Sequence, residues 1–231
     1  MKKTILIAIA VTAIGSITIG CSFSVGTGSN TASPTPAAAN KSTSNTNTGS
    51  TSKTDSKPKP KLTNETKPTD GKAVTANKKN AVPDNWIYVY DSGKGYGFYL
   101  PEGSEGESQT VDGIDVFAAT TPAPSEIDIF VLAYKDKTLT KEDLLNDAVE
   151  FLEGLGQKVT PGALKAESDE YAVADATTVH PSRGKGKLRI LVGTDVTDNY
   201  VMILGTEEGR FAANEKIIDE IWGSFEMWSQ N

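Results

Sequence analysis

The spacing of apolar residues along this chain changes character twice. Residues 4–20 carry no charge and are dominated by Ile, Leu, Ala and Val. Residues 22–82 are Ser, Thr, Asn, Gly, Ala, Pro and Lys almost throughout, and follow neither the strand nor the helix repeat. From Pro83 onward, short β-branched and aromatic runs return between turn residues, over enough chain for one real core.

Within this last part, residues 86–90 and 96–100 read as two strands joined by a turn at 91–95, the second closing at Pro101. Residues 114–119 and 127–134 read as two more, linked across 120–124. A helix is predicted next. Thr140 is its N-cap, with Asp143 three residues on as an acidic variant of the capping box, and Leu139 and Leu144 are placed for a hydrophobic staple. Leu145, Ala148, Val149, Leu152 and Leu155 recur at helical spacing, and Gly156 ends the run. Residues 171–179 form a strand with Ala172, Ala174, Ala176 and Thr178 on one face, small enough to let a helix lie close on the sheet. Strands at 188–192 and 200–204 are joined by a turn at 195–199. A final helix covers 212–222 and buries Ile217, Ile218, Ile221 and Trp222. Strands in runs with few helices between them predict an α+β fold with a mostly antiparallel sheet flanked by helices.

Composition sharpens this into three parts: 1–20, 21–82 and 83–231. Only 37% of the chain is hydrophobic, low for a chain that packs throughout. From Pro83 onward there are 12 Lys and Arg against 27 Asp and Glu, whereas residues 22–82 hold nine Lys and three acids. An acidic globular part argues against a protein that tracks nucleic-acid phosphates. The linker has too little apolar surface to offset its ordering entropy, so disorder is expected across 21–82. As a coil, its 61 residues beyond Cys21 span roughly 40–50 Å. One Cys and one His exclude an internal disulfide and the usual Cys- or His-rich metal sites.

Lys2 and Lys3, the apolar run and the small residues before Cys21 have the layout of an export signal. Thr18-Ile19-Gly20-Cys21 resembles a bacterial lipobox, with Thr where Leu is usual. That resemblance implies cleavage after Gly20 and diacylglycerol on the Cys21 thiol. It places the chain at the cell membrane or outer membrane, with its domain on the extracytoplasmic side. An ordinary secretory signal and an uncleaved span are the alternatives. Further on, "GYGFYLPEG" (95–103), the mid-chain helix, the late strand pair and a last helix running into "IWGSFEM" (221–227) are together similar to the PsbP-like and DcrB-like sandwich family. Gly97-Phe98, Leu100-Pro101 and Ser224-Phe225 carry the resemblance. It implies an antiparallel sheet between helices, a role in binding or assembling a protein partner rather than catalysis, and no cofactor.

Few residues suggest chemistry directly. His180 and Ser182 have the types for a nucleophile and base, but they are two residues apart and lack a Gly-x-Ser-x-Gly turn, so a plain loop is expected. Arg183, Lys185 and Lys187 stand with two glycines in what reads as a basic loop, a candidate contact for an anion or a partner. Asp143, Asp147 and Glu150 share a helix face and are expected to be solvated surface rather than a metal site. Trp86, Tyr88, Tyr90, Tyr96 and Phe98 read as core and cross-strand pairs. The expectation is a tethered envelope domain that binds a protein partner, with a small-ligand or cation-binding domain as the alternative and an enzyme least favoured.

Overall fold

A computed structural model describes residues 59–76, 82–111, 113–135, 138–195 and 198–228. In chain order its elements are β1 (Ala73–Thr75), β2 (Trp86–Asp91), β3 (Tyr96–Pro101), β4 (Glu105–Val111), β5 (Ile114–Thr120), β6 (Asp128–Tyr134), α1 (Lys141–Gly154), β7 (Lys158–Pro161), β8 (Lys165–Ala166), β9 (Tyr171–His180), β10 (Gly184–Thr194), β11 (Asn199–Glu207), α2 (Glu208–Gly223) and β12 (Glu226–Trp228). They form two sheets. The small one runs β1-β12-β3-β2; the large one runs β4-β5-β6-β11-β10-β9-β7, with β8 also on β9. Every strand pair is antiparallel, as the run of hairpin-linked strands predicts.

The small sheet and α2 share one face of the large sheet, and α1 covers the other. Strand alternation sets this division. Tyr96, Phe98 and Leu100 of β3 enter the same core as Phe117, Val131, Tyr171, Met202 and Leu204 of the large sheet and Ile218 and Ile221 of α2. Phe225 lies at its centre, fully buried, with ring centroids 5.8 to 6.3 Å from those of Tyr96, Phe98, Tyr171 and Tyr200. Buried Tyr hydroxyls are satisfied by backbone: Tyr171 donates to the Val74 carbonyl (2.6 Å), and Tyr200 to the Lys94 carbonyl (2.5 Å). Burial pushes both phenols up, so they stay neutral and act as cross-links between the sheets.

On the opposite face, Leu144, Leu145, Ala148 and Leu152 of α1 are buried against the large sheet, and Phe151 meets Phe130 edge-on at 5.4 Å. The small residues Ala172, Ala174 and Ala176 alternate with the core-facing Tyr171 and Val173, so they lie on the α1 side. Thr178 on that face donates to Gln157 Oε1, just past the helix, at 2.7 Å. The predicted helix start is realised: the Thr140 side chain accepts from the Asp143 N–H, and the Asp143 carboxylate accepts from the Thr140 N–H. At the other end Gly156, with φ +83°, turns the chain so that its N–H and that of Gln157 reach the carbonyls of Glu153 and Leu152.

Two expectations need correction. The linker is expected to run to residue 82, yet residues 59–76, inside that span, are described and pack on the domain. Residues 59–76 form a strap around the small sheet. Lys61 bridges to Glu105, Leu62 N–H donates to the Ser104 carbonyl, Asn64 and Glu65 bond the backbone of Tyr88, and β1 pairs with β12. Composition misplaced the boundary because the strap uses backbone bonds to the open edges of existing strands, which any polar sequence makes. The second correction concerns 183–189: only Arg183 lies in the turn, and residues 184–194 continue as strand. Strands β1, β4, β7, β8 and β12 carry no strong apolar signal and were not expected. Residues 1–58, which include Cys21, lie outside the described residues.

A chain beginning at Lys59 is expected to unfold in urea at the midpoint of the full chain. A chain beginning at Pro83 loses Leu62, Val74, Ala76 and the edge pairing. Its expected loss is at least about 2 kcal/mol, measured by urea denaturation.

Candidate functional site

The residues singled out for chemistry cluster around the β9–β10 hairpin, and the register decides which are available. Its turn is Pro181-Ser182-Arg183, with His180 opposite Gly184. The Ser182 hydroxyl is 3.0 Å from His180 Nδ1, and the Ser182 N–H donates to the same nitrogen at 3.2 Å. The pair therefore touches, within a single turn. Two bonds from one serine onto one ring nitrogen close the turn, and the contact is exposed.

Lys185, Lys187 and Arg189 alternate onto the face that carries α2, and they divide into two kinds. Arg189 is a structural cation. Its guanidinium meets Asp175 on β9 (2.9 Å), Asp219 on α2, and Glu215 one turn earlier (3.7 Å). Burial disfavours its charge, but Asp175 and Asp219 outweigh burial and hold it above the ordinary arginine value. Arg189 Cζ and Lys187 Nζ lie 5.7 and 5.9 Å from the Phe211 ring centroid. At this point α2 stops covering the sheet.

Beyond Arg189 the last rungs of β7, β9 and β10 are bare on this face. Lys187 pairs with Thr177, which pairs with Thr160; Lys185 pairs with Val179, which pairs with Lys158. Val179, at 47% exposed, is the one exposed large hydrophobic among the described residues, and it lies between two lysines. Lys158, Thr160, Thr177 and Lys185 are exposed as well. Arg183 sits at the end of this patch, and its charge is felt by Asp128 at the start of β6. Asp128 is nonetheless pushed above the usual carboxylate range, because burial dominates over Thr120 and Arg183. Sequence reasoning named Arg183, Lys185 and Lys187 and missed Lys158 and Val179. Only strand pairing brings Lys158, 27 positions before Lys185, onto the same rung through Val179.

The acidic trio on α1 separates. Asp143 is held below the usual carboxylate range by its bonds to Thr140 and belongs to the helix cap. Asp147 faces Tyr134, whose phenol is raised by burial and then by that carboxylate. Glu150 is exposed. Among the described residues no group of three or more His, Cys, Asp or Glu is placed to hold a metal ion, and no buried side-chain polar atom lacks a partner. No helix among them is long and apolar enough to cross a membrane. Of the aromatic residues, Tyr96 and Phe98 enter the core, whereas Tyr88 and Tyr90 stand with Trp228 at the outside of the small sheet.

This architecture is similar to the solution structure of cyanobacterial PsbP (CyanoP) from Synechocystis. The two align with a TM-score of 0.51 at 16% identity, over 65% of this chain and 99% of that one. The likeness shows a PsbP-like fold. No protein-family profile and no curated protein matches the chain.

The two kinds of cation separate experimentally. Arg189→Met is expected to cost about 2 kcal/mol in urea unfolding, since it leaves Asp175 and Asp219 beside each other with no cation between them. Lys185→Gln is expected to stay within about 0.5 kcal/mol of the parent.

Proposed function

We propose that this PsbP-like domain is the soluble end of an envelope lipoprotein and binds an acidic protein surface through the bare face of β7, β9 and β10. The observation that carries this reading is the Lys158–Val179–Lys185 rung with Lys187 beside it. An apolar side chain flanked by cations is laid out on a flat, rigid sheet, in a globular part whose net charge is strongly negative. The lysines supply steering and register, and Val179 with the Thr160 and Thr177 methyl groups supplies apolar contact. The same net charge disfavours docking on an anionic lipid surface, which would meet the domain's acids around a small basic patch.

Anchoring completes the reading. Diacylglycerol on Cys21 contributes about 0.8 kcal/mol per buried CH₂, so two or more chains hold firmly. The polar leash then gives the domain reach, shortened at its far end by the strap. The Ser182–His180 contact closes a turn and supports no hydrolytic role, since no described carboxylate orients the imidazole.

A photo-crosslinking residue at Thr177 in living cells is expected to trap an acidic protein. Lys158→Glu, Lys185→Glu and Lys187→Glu together are expected to lower that adduct about tenfold while leaving the fold intact. An adduct unchanged by the triple variant would overturn the reading, and so would loss of anionic-vesicle binding as the only consequence of the charge reversal. Separately, Cys21→Ala is expected to abolish palmitate labelling and to release the chain from membranes; an unlabelled wild-type chain would remove the anchor.

A further inference from the structure

The outer side of the small sheet carries a cation site that is independent of the basic face. Glu226 and Trp228 of β12 alternate with the core-facing Phe225 and Met227, and Tyr88 of β2 alternates with the core-facing Ile87 and Val89. The three outward side chains are linked. The Trp228 indole N–H donates to the Tyr88 hydroxyl (3.1 Å), which donates to Glu226 Oε2 (3.1 Å), while the Thr75 hydroxyl donates to Glu226 Oε1 (3.4 Å). Tyr90 packs edge-on against Trp228 and stacks beside Tyr88, both at 6.2 Å. Gly97, opposite both Tyr90 and Glu226, has no side chain; a Cβ there would fall 2.6 Å from Tyr88 Cζ and push the ring off the sheet.

The product is a carboxylate, 6% exposed, flanked by two aromatic rings. That is the composition of an ammonium receptor: π faces attract the cation, and a desolvated carboxylate binds its N–H groups. The receptor is occupied by the chain itself. Lys67 Nζ lies 2.6 Å from Glu226 Oε1, 5.7 Å from the Tyr88 centroid and 5.8 Å from that of Trp228. Yet Lys67 remains accessible from solvent. Its side chain is 43% exposed, and its neighbours from Thr63 to Thr66 are exposed too. Rotating it out leaves the strap's attachments at Asn64, Glu65 and β1 in place.

We propose that the Tyr88–Trp228–Glu226 cage is a binding site for a primary alkylammonium, filled in cis by Lys67 and open to exchange with one supplied in trans. The short contact to Glu226 selects the class. A primary ammonium donates to Oε1, whereas a quaternary one has no N–H and its methyl groups hold the nitrogen away. A protein lysine and a free polyamine share this chemistry.

The test uses the full chain and the indole N–H signals of its three Trp residues, that of Trp228 being the one missing from Trp228→Phe. In Lys67→Ala, n-butylammonium chloride at constant ionic strength is expected to move the Trp228 signal saturably, with half-saturation at about 10–50 mM. Tetramethylammonium should be at least about tenfold weaker, and Glu226→Gln added to Lys67→Ala should abolish the response. In the wild type, competition from Lys67 should raise the half-saturation about tenfold or more. Once binding is seen, a lysine-bearing peptide and cadaverine, titrated separately, distinguish the two sources. The proposal is overturned by equal responses to the two ammonium ions, by a response that survives Glu226→Gln, or by no saturable shift in folded Lys67→Ala. Should that variant not fold, Lys67→Gln takes its place in the same titrations, and no saturable shift in it overturns the proposal.

Discussion

The alternation of four consecutive side chains after α2 holds this structure together. Phe225 and Met227 point into the core, where Phe225 touches aromatic rings from both sheets. Glu226 and Trp228 point outward and assemble the cage with Tyr88. A strand of three residues, β12, therefore serves two faces at once, because successive side chains on extended backbone leave on opposite sides. It also supplies the middle of the small sheet: β1 pairs on one of its edges and β3 on the other. Without this segment the small sheet has no continuity and the core loses its most connected ring.

The cations of the domain follow from how far α2 reaches along the large sheet. Where the helix covers β10, Arg189 is desolvated and must be matched, and Asp175, Asp219 and Glu215 match it. One rung further on, Lys187 is half-buried beside Phe211 at the start of α2, and a rung beyond that Lys185 is exposed on the same strand and face. The residues alternate regularly along β10, but packing divides them into a structural cation and a basic surface. Burial explains the raised phenols of Tyr171 and Tyr200 in the same way. They are hydrogen-bonding cross-links between layers.

The strap changes what the leash is. Residues 59–76 add only Leu62, Val74 and Ala76 to the core, too few and too irregularly spaced for their sequence to carry a sign of folding. Their order comes from elsewhere: strands β2 and β4 have unpaired edges, and Leu62, Asn64, Glu65 and residues 73–75 of the chain satisfy those edges or that of β12. The strap and the cage are therefore one structural neighbourhood, joined where Lys67 and Thr75 meet Glu226.

Much of this was legible in the sequence. The aromatic and β-branched runs marked β2, β3, β5, β6 and β9 to within a residue at each end, and the centre of the longer β11. The Thr140–Asp143 box and Gly156 marked both ends of α1, since capping is local chemistry. Segments whose structure depends on a distant partner were not legible: β4 and β7 are polar edge strands, β12 is three residues long, and β1 lies in linker-like sequence. The same limit applied to the sites. The sequence by itself determined the mostly antiparallel α+β character, the local helix caps and the sign of charge on each part, because periodicity, capping and composition act over a few residues; the division into two sheets was not legible in it. Only the tertiary structure decided that Lys158 and Val179 join Lys185, that Arg189 is spent on carboxylates, and that Lys67 lies between Tyr88 and Trp228. These are contacts between residues far apart along the chain, fixed by strand register and by which faces the helices leave bare.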